Sequence, residues 1–359
     1  MKKYLSLIIA ICFSTIILSF TTACTTKEKL YVVNVGDYID DTLISKFEKE
    51  YNCQVVYKEF GSNEAIYQSM LNDSYDVCVV SDYMIDKLRQ NDMVKDLDYS
   101  KVSNYSFSSL FEDAQNLMNV QCSTYKDYFV PYFWGTVGIL YNTDVIGLED
   151  FVLQNGLKAI FGNNKYKKGM YNSAREALCV GLLANGGTDI NSFNVEELEA
   201  VCQMLKNANY NSWDEDKLKS YVHDGELDMA LVYSGDYLDE VYTCELDEEP
   251  VNFKYYAPDV TNIWIDGMCI TSKSKNEELA YEFINFFSDF ENQKQNALFI
   301  GYAPLVESVF NAVVSDYEYT EEQIKGYYPY SVNRQMYRYV SDAHYTKLND
   351  LFEEAKSSK

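Results

Sequence analysis

Residues 30–90 read LYVVNVGDYIDDTLISKFEKEYNCQVVYKEFGSNEAIYQSMLNDSYDVCVVSDYMIDKLRQ, and their periodicity decides the fold. Leu30–Asn34 is a short apolar run closed by a glycine break, the pattern of a buried strand. Asp40 and Asp41 suit a helix N-terminus, and Leu43, Ile44, Phe47 and Tyr51 fall on one helical face. Gln54–Tyr57 predicts a second strand. Ser62 can cap a helix whose apolar face carries Ile66, Met70 and Leu71. Tyr75–Val80 predicts a third strand and Tyr83–Gln90 a third helix. This βαβαβ order predicts a mostly parallel sheet flanked by helices, an α/β architecture. Ligands of such sheets bind beyond the carboxyl ends of the strands, here Asn34–Tyr38 and Ser81–Tyr83.

Downstream, Phe129–Asn142 contains VPYFWGTVGILYN, a β-rich stretch suited to crossing between two domains. Helices are expected at 173–185, 195–208 and 214–222, and strands at Leu227–Tyr233 and Ile263–Thr271. Asn276–Phe290 is strongly amphipathic, 291–300 continues as another helix, Tyr302-Ala303-Pro304 makes a turn, and the tail from Glu321 reads as polar helix. At 359 residues, with 47% hydrophobic and 24% charged residues, the chain has material for two cores and is too apolar for disorder.

The N-terminus reads as a targeting segment. Lys2 and Lys3 precede an apolar run from Leu5 to Phe20, shorter than the roughly 20 residues of a membrane span. Thr21-Thr22-Ala23-Cys24 then resembles a bacterial lipobox, with Thr21 where Leu is usual. The expectation is a signal peptide at 1–23, lipidation at Cys24 and a tether at 24–29; an ordinary secretory signal with an incidental Cys24 is the competing reading.

Thirty basic against 55 acidic residues give a net charge of −25, which repels phosphate backbones and argues against nucleic acid. Seven cysteines beyond the leader and anchor are dispersed, with no CxxC and no Cys/His cluster in sequence, so neither a zinc site nor a disulfide framework is expected. Only two histidines, His223 and His344, are available for catalysis, and no G-x-S-x-G elbow accompanies them.

Several segments together resemble the spermidine/putrescine-binding proteins of bacterial ABC importers. They are Asn34–Tyr38, Ser62–Glu64, Tyr75–Ser81, Val130–Thr136, Ala174–Glu176, Val232–Asp236, Ile263–Asp266 and Ile300–Tyr302, in the family's order. The resemblance implies a two-lobed type II periplasmic-binding-protein fold, divided as 30–139 plus 266–305 and 140–265 plus 306–359. It also implies ligand delivery to a membrane permease, no cofactor, no metal, and a monomer held to the outer face of the cytoplasmic membrane by its lipid.

The residues at the element ends fit that chemistry. A flexible polyamine needs carboxylates for its ammonium groups and aromatic walls along its methylenes. Asp37, Tyr38, Ser81, Tyr83, Glu176, Tyr233, Asp236, Trp264, Asp266 and Tyr302 supply this mixture. Each has a plainer reading. Asp37 can form an Asx-turn, Glu176 can close a capping box with Ser173, Asp236 can serve a turn, and the aromatics can be core. Asp266 is the strongest candidate, because an acid inside an apolar strand is costly without a partner. The family usually has Trp where Val35 and Tyr233 stand. Its spermidine-preferring members carry an acid at Ser173, and its putrescine-preferring members one at Asp236, which inclines the expectation to putrescine. Asn333 and Gln335 compete for a completing contact from the tail. A ferric-iron protein of the same fold, drawing on 33 tyrosines with Tyr255-Tyr256 and Tyr327-Tyr328 as pairs, and a surface hydrolase are the alternatives.

Overall fold

The computed structural model describes residues 27–36, 38–163 and 165–358. The expected signal peptide, Cys24 and Asp37 therefore lie outside the described residues. Eleven strands are found among these residues: β1 (Lys29–Val35), β2 (Gln54–Phe60), β3 (Val77–Ser81), β4 (Val130–Gly135), β5 (Val137–Asn142), β6 (Lys168–Tyr171), β7 (Ser212–Asp214), β8 (Met229–Tyr233), β9 (Phe253–Tyr256), β10 (Asn262–Ile270) and β11 (Gln335–Met336).

They form two sheets flanked by helices. The first runs β11-β10-β3-β1-β2, with β4 also on β10, and the second runs β7-β6-β8-β5-β9. The predicted βαβαβ unit is present, with β1 parallel to both β2 and β3. Its helices start where capping chemistry places them. Asp40 accepts the Thr42 N–H before helix Asp41–Glu50, and Ser62 accepts the Ala65 N–H before helix Asn63–Asn72. Leu43, Ile44 and Phe47 bury as expected, as do Ile66 and Met70, whereas Leu71 is half exposed.

The antiparallel pairing of β10 with β3 positions the site. It sets Asp266 opposite Ser81, so the early residues of β10 lie at the carboxyl end of β3. The chain crosses between sheets at Thr136 and returns at Thr261–Asn262, a few residues before the expected 139/140 and 265/266 boundaries. The crossings are fastened together: the Thr136 hydroxyl donates to the Asn262 carbonyl, and Val137 N–H donates to Asn262 Oδ1 at 2.7 Å.

Strands β6, β7, β9 and β11 were not expected, the last falling in the tail read as helix. The region predicted as helix over 173–185 is a π-helical turn, Arg175–Cys179, followed by helix Val180–Ala184. The tail is helical only over Glu321–Tyr327 and Asp342–Ser357, and the latter packs on helix Val195–Asn207. Its His344 is buried against Phe193, not set on a polar face. All seven cysteines from Cys53 to Cys269 are buried and free.

Candidate functional site

The first lobe supplies a floor of buried acids. Asp266 is 6% exposed, and its Oδ1 has no hydrogen-bond partner. Tyr38 and Ser81 lie beside it and partly favour its charge, but burial dominates and pushes its carboxyl up to about 6. The Tyr38 hydroxyl likewise lacks a completed hydrogen bond. Asp82, fully buried, begins helix Asp82–Gln90 and accepts the Ile265 N–H at 2.9 Å. Burial raises it to about 8, with Asp266 adding to the shift and the Ile265 N–H opposing it.

Aromatic rings form a contiguous cluster that reaches Asp266 through Tyr38. Tyr38 meets Tyr302 edge-on at 5.4 Å, Trp264 meets Tyr302 at 5.5 Å, and Tyr233 meets Trp264 at 6.0 Å and 89°. Two glycines make room for them. A Cβ on Gly135 would lie 2.3 Å from the Trp264 ring, and one on Gly235 2.3 Å from the Tyr302 ring.

The second lobe supplies the facing acids from the ends of β6 and β8. Asp236, in the first turn of helix Ser234–Leu246, accepts the Tyr233 N–H at 3.0 Å and the Tyr302 hydroxyl at 3.2 Å. Burial raises it to about 6, opposed by Lys219 and by the Tyr233 N–H. Glu176 is buried and accepts the Tyr233 hydroxyl at 2.8 Å. Its neighbour Ser173 accepts the Arg175 N–H, so the alternative capping box is not formed and Glu176 instead turns to Tyr233.

The lobes touch beside this cluster. Arg175 Nη2 lies 2.9 Å from Glu64 Oε1, and its guanidinium sits 3.6 Å over the Tyr83 ring. The Tyr83 hydroxyl donates to the same Glu64 oxygen at 3.1 Å. Burial pushes Glu64 up, but Arg175 outweighs it and holds the carboxyl below its usual value. Lys87, which lines a small pocket with Glu64, Tyr83 and Arg175, reaches Asp342 at 2.8 Å.

Of the expected residues, Tyr38, Ser81, Glu176, Tyr233, Asp236, Trp264, Asp266 and Tyr302 converge. Tyr83 adjoins them but turns toward Glu64 and Arg175. Three further residues belong here. Asp82 sits between two residues already singled out. Tyr171 meets Tyr233 at 4.8 Å. Tyr337 is buried beside Glu176, with its hydroxyl unpartnered. Asn333 and Gln335 are engaged elsewhere, with Asp259 and with Thr188 and Ile190 respectively. Tyr255 stacks on Tyr237, and Tyr327 donates to the Tyr302 carbonyl, so neither tyrosine pair forms a ligand set of its own.

Two α/β lobes meeting at this cluster match the architecture of a solute-binding protein, and the sequence agrees. Residues 42–322 match the profile of the bacterial extracellular solute-binding proteins, and the chain belongs to that family. Among its relatives, the spermidine/putrescine-binding periplasmic protein of Escherichia coli is 28% identical over 280 residues, 76% of each chain. The putrescine-binding periplasmic protein SpuD of Pseudomonas aeruginosa is 28% identical over 313 residues, 80% of each. The crystal structure of the substrate-binding protein PotD of a spermidine/putrescine ABC transporter from Streptococcus pneumoniae superposes with a TM-score of 0.70 at 28% identity, covering 92% of this chain and 99% of that one.

Proposed function

We propose that this chain captures a polyamine between its lobes and hands it to an ABC-type permease, performing no chemistry on it. The observation that carries this reading is Asp266: a buried carboxylate beside a cluster of aromatic side chains, with one oxygen lacking any partner. Such a group is costly unless a cation reaches it. An ammonium on a short methylene chain meets that need, while the rings cover the methylenes. Asp236 and Glu176 face it from the second lobe and can hold the other end. The relatives' names, spermidine/putrescine-binding and putrescine-binding, support the same ligand class.

Within that class the reading favours putrescine over spermidine, since Ser173 offers no charge for a third ammonium while Asp236 is kept. Residues 30–135 with 262–305 and strand β11 are taken as one lobe, and the intervening segment with the rest of the tail as the other. Lipidation at Cys24 would hold the monomer at the outer face of the membrane. Burial and nearby carboxylates push the Tyr38, Tyr171, Tyr233 and Tyr302 phenols well above their ordinary value, which disfavours phenolate ligation of ferric iron.

A thermal-shift screen of the mature chain against polyamines, amino acids, sugars and ferric ion tests the reading. A polyamine at 100 times its Kd adds about 2.7 kcal/mol of apparent stability. Stabilisation by another class alone would overturn it.

A further inference from the structure

We propose that His223, Glu240 and Cys244 form a binding site for a borderline divalent transition-metal ion of the zinc type, remote in sequence from the cleft residues of the first lobe. Nothing in the linear sequence groups these residues. The fold does so by packing the end of helix Lys217–His223 against helix Ser234–Leu246, where Glu240 and Cys244 stand four residues apart on one face.

Their donor atoms all lie within 4.8 Å of one another. His223 Nδ1 is 2.9 Å from Glu240 Oε1 and 3.8 Å from Cys244 Sγ. A tetrahedral zinc ion with ligand bonds of about 2.0 Å to nitrogen and 2.3 Å to sulfur holds those two atoms roughly 3.5 Å apart. The Nδ1–Sγ spacing is therefore close to what the ion requires, while Sγ lies as near Nε2, at 3.7 Å, and Nδ1 and Glu240 must part slightly to admit an ion. Glu240 and Cys244 are 4% and 1% exposed, so the site is walled by protein on two sides.

The fourth residue present is also suited to its place. Glu249 Oε2 lies 3.4 Å from His223 Nε2. A carboxylate on the far nitrogen would keep the ring proton there, so that Nδ1, which in the metal-free chain is within hydrogen-bond distance of Glu240, could present its lone pair to the ion, the usual orienting contact of a metal-bound histidine. The mixed N, O and S donor set selects zinc-like ions over calcium or magnesium, which take oxygen. Binding exchanges the ion for the Cys244 thiol proton and any proton on Nδ1, both released to solvent. The ion would tie together two helices of the second lobe, one of which carries Asp236.

Cobalt(II) titration of the chelator-stripped chain tests this. One equivalent is expected to bind with a thiolate-to-cobalt charge-transfer band and tetrahedral d–d absorption, both abolished by zinc. Cys244→Ser should lose the charge-transfer band, and His223→Gln should weaken binding at least tenfold. Glu249→Gln lies at an exposed position and keeps the test readable if a buried variant fails to fold. It should weaken cobalt about tenfold with the spectrum retained. Absence of the band in the wild type, its survival in Cys244→Ser, or unchanged affinity in both His223→Gln and Glu249→Gln would overturn the site. The cluster would then be an imidazole held between two carboxylates.

Discussion

Arg175 in the second lobe donates to Glu64 in the first at 2.9 Å while its guanidinium sits over the Tyr83 ring, so one side chain joins the lobes by charge and by ring contact. Both partners are partly shielded from water, at 15% and 23% side-chain exposure, so the pair is worth more than a surface ion pair. Glu64→Gln should favour the open form and weaken ligand binding by about 1–2 kcal/mol, roughly 5- to 30-fold. Calorimetry paired with small-angle scattering checks this. An unchanged Kd with an unchanged scattering profile would remove the latch.

Asp266→Asn should weaken polyamine binding by about 2–4 kcal/mol, roughly 30- to 1,000-fold. The ligand-free variant should be no less stable than the parent, because an amide carries no charge into the interior. Equal affinity in variant and parent would take Asp266 out of the site.

The raised acids set opposite pH trends for binding and stability. Asp266 and Asp236 are shifted up from 3.8 to about 6, and Asp82 to about 8. The stability these groups contribute is full below pH 3.8 and is lost as pH rises through the folded values, because the folded state binds more protons. An ammonium ligand needs ionised carboxylates, so affinity should fall as pH drops below 6, by about tenfold per carboxylate between pH 7 and 5. Titrations across that range, with proton release followed in two buffers, would refute the trend if affinity stayed flat.

Ser173→Asp should improve spermidine relative to putrescine by roughly 1.5–3 kcal/mol, one charge-assisted contact. Ser173 accepts the Arg175 N–H at 3.3 Å, and an aspartate can accept it equally well, so the local turn is preserved. Competition titrations decide the matter. A parent already preferring spermidine tenfold would overturn the putrescine reading, and an unmoved preference in the variant would exclude position 173 from the site.

Cys24→Ser should leave the exported chain without lipid and release it from the membrane fraction. Mass spectrometry of the parent is the direct check: an unmodified Cys24 ends the anchor hypothesis.

Much of the first lobe was legible because its strands are apolar runs bounded by glycine or caps, and because β10 buries all nine of its residues. Lys168–Tyr171 and Ser212–Asp214 are short, carry a lysine, a glycine or an aspartate, and become strands only by pairing with their neighbours. In the site, positions at strand ends could be read directly. Asp82 could not be told from the first acid of a helix until Ile265 bonded to it. Tyr337 lies in an irregular tail with no periodicity, and only the packing sets it beside Glu176. His223 has no metal-ligand spacing in the sequence, because its partners Glu240 and Cys244 lie on the next helix, beyond strand β8.

Because the second sheet's strands all fall between Thr136 and Thr261, that lobe is inserted into the first, and the order of synthesis matters. Strand β10, which pairs with β3, β4 and β11, is made only after the whole inserted segment. Until then β3 presents one apolar edge without its neighbour, and the acids at its end have no lid. The second lobe waits in turn for helix Asp342–Ser357 to cover helix Val195–Asn207. Neither half can be completed early, so the nascent chain exposes unpaired strand edges until its late segments arrive. Holding it soluble until its last residues arrive falls to whatever escorts it.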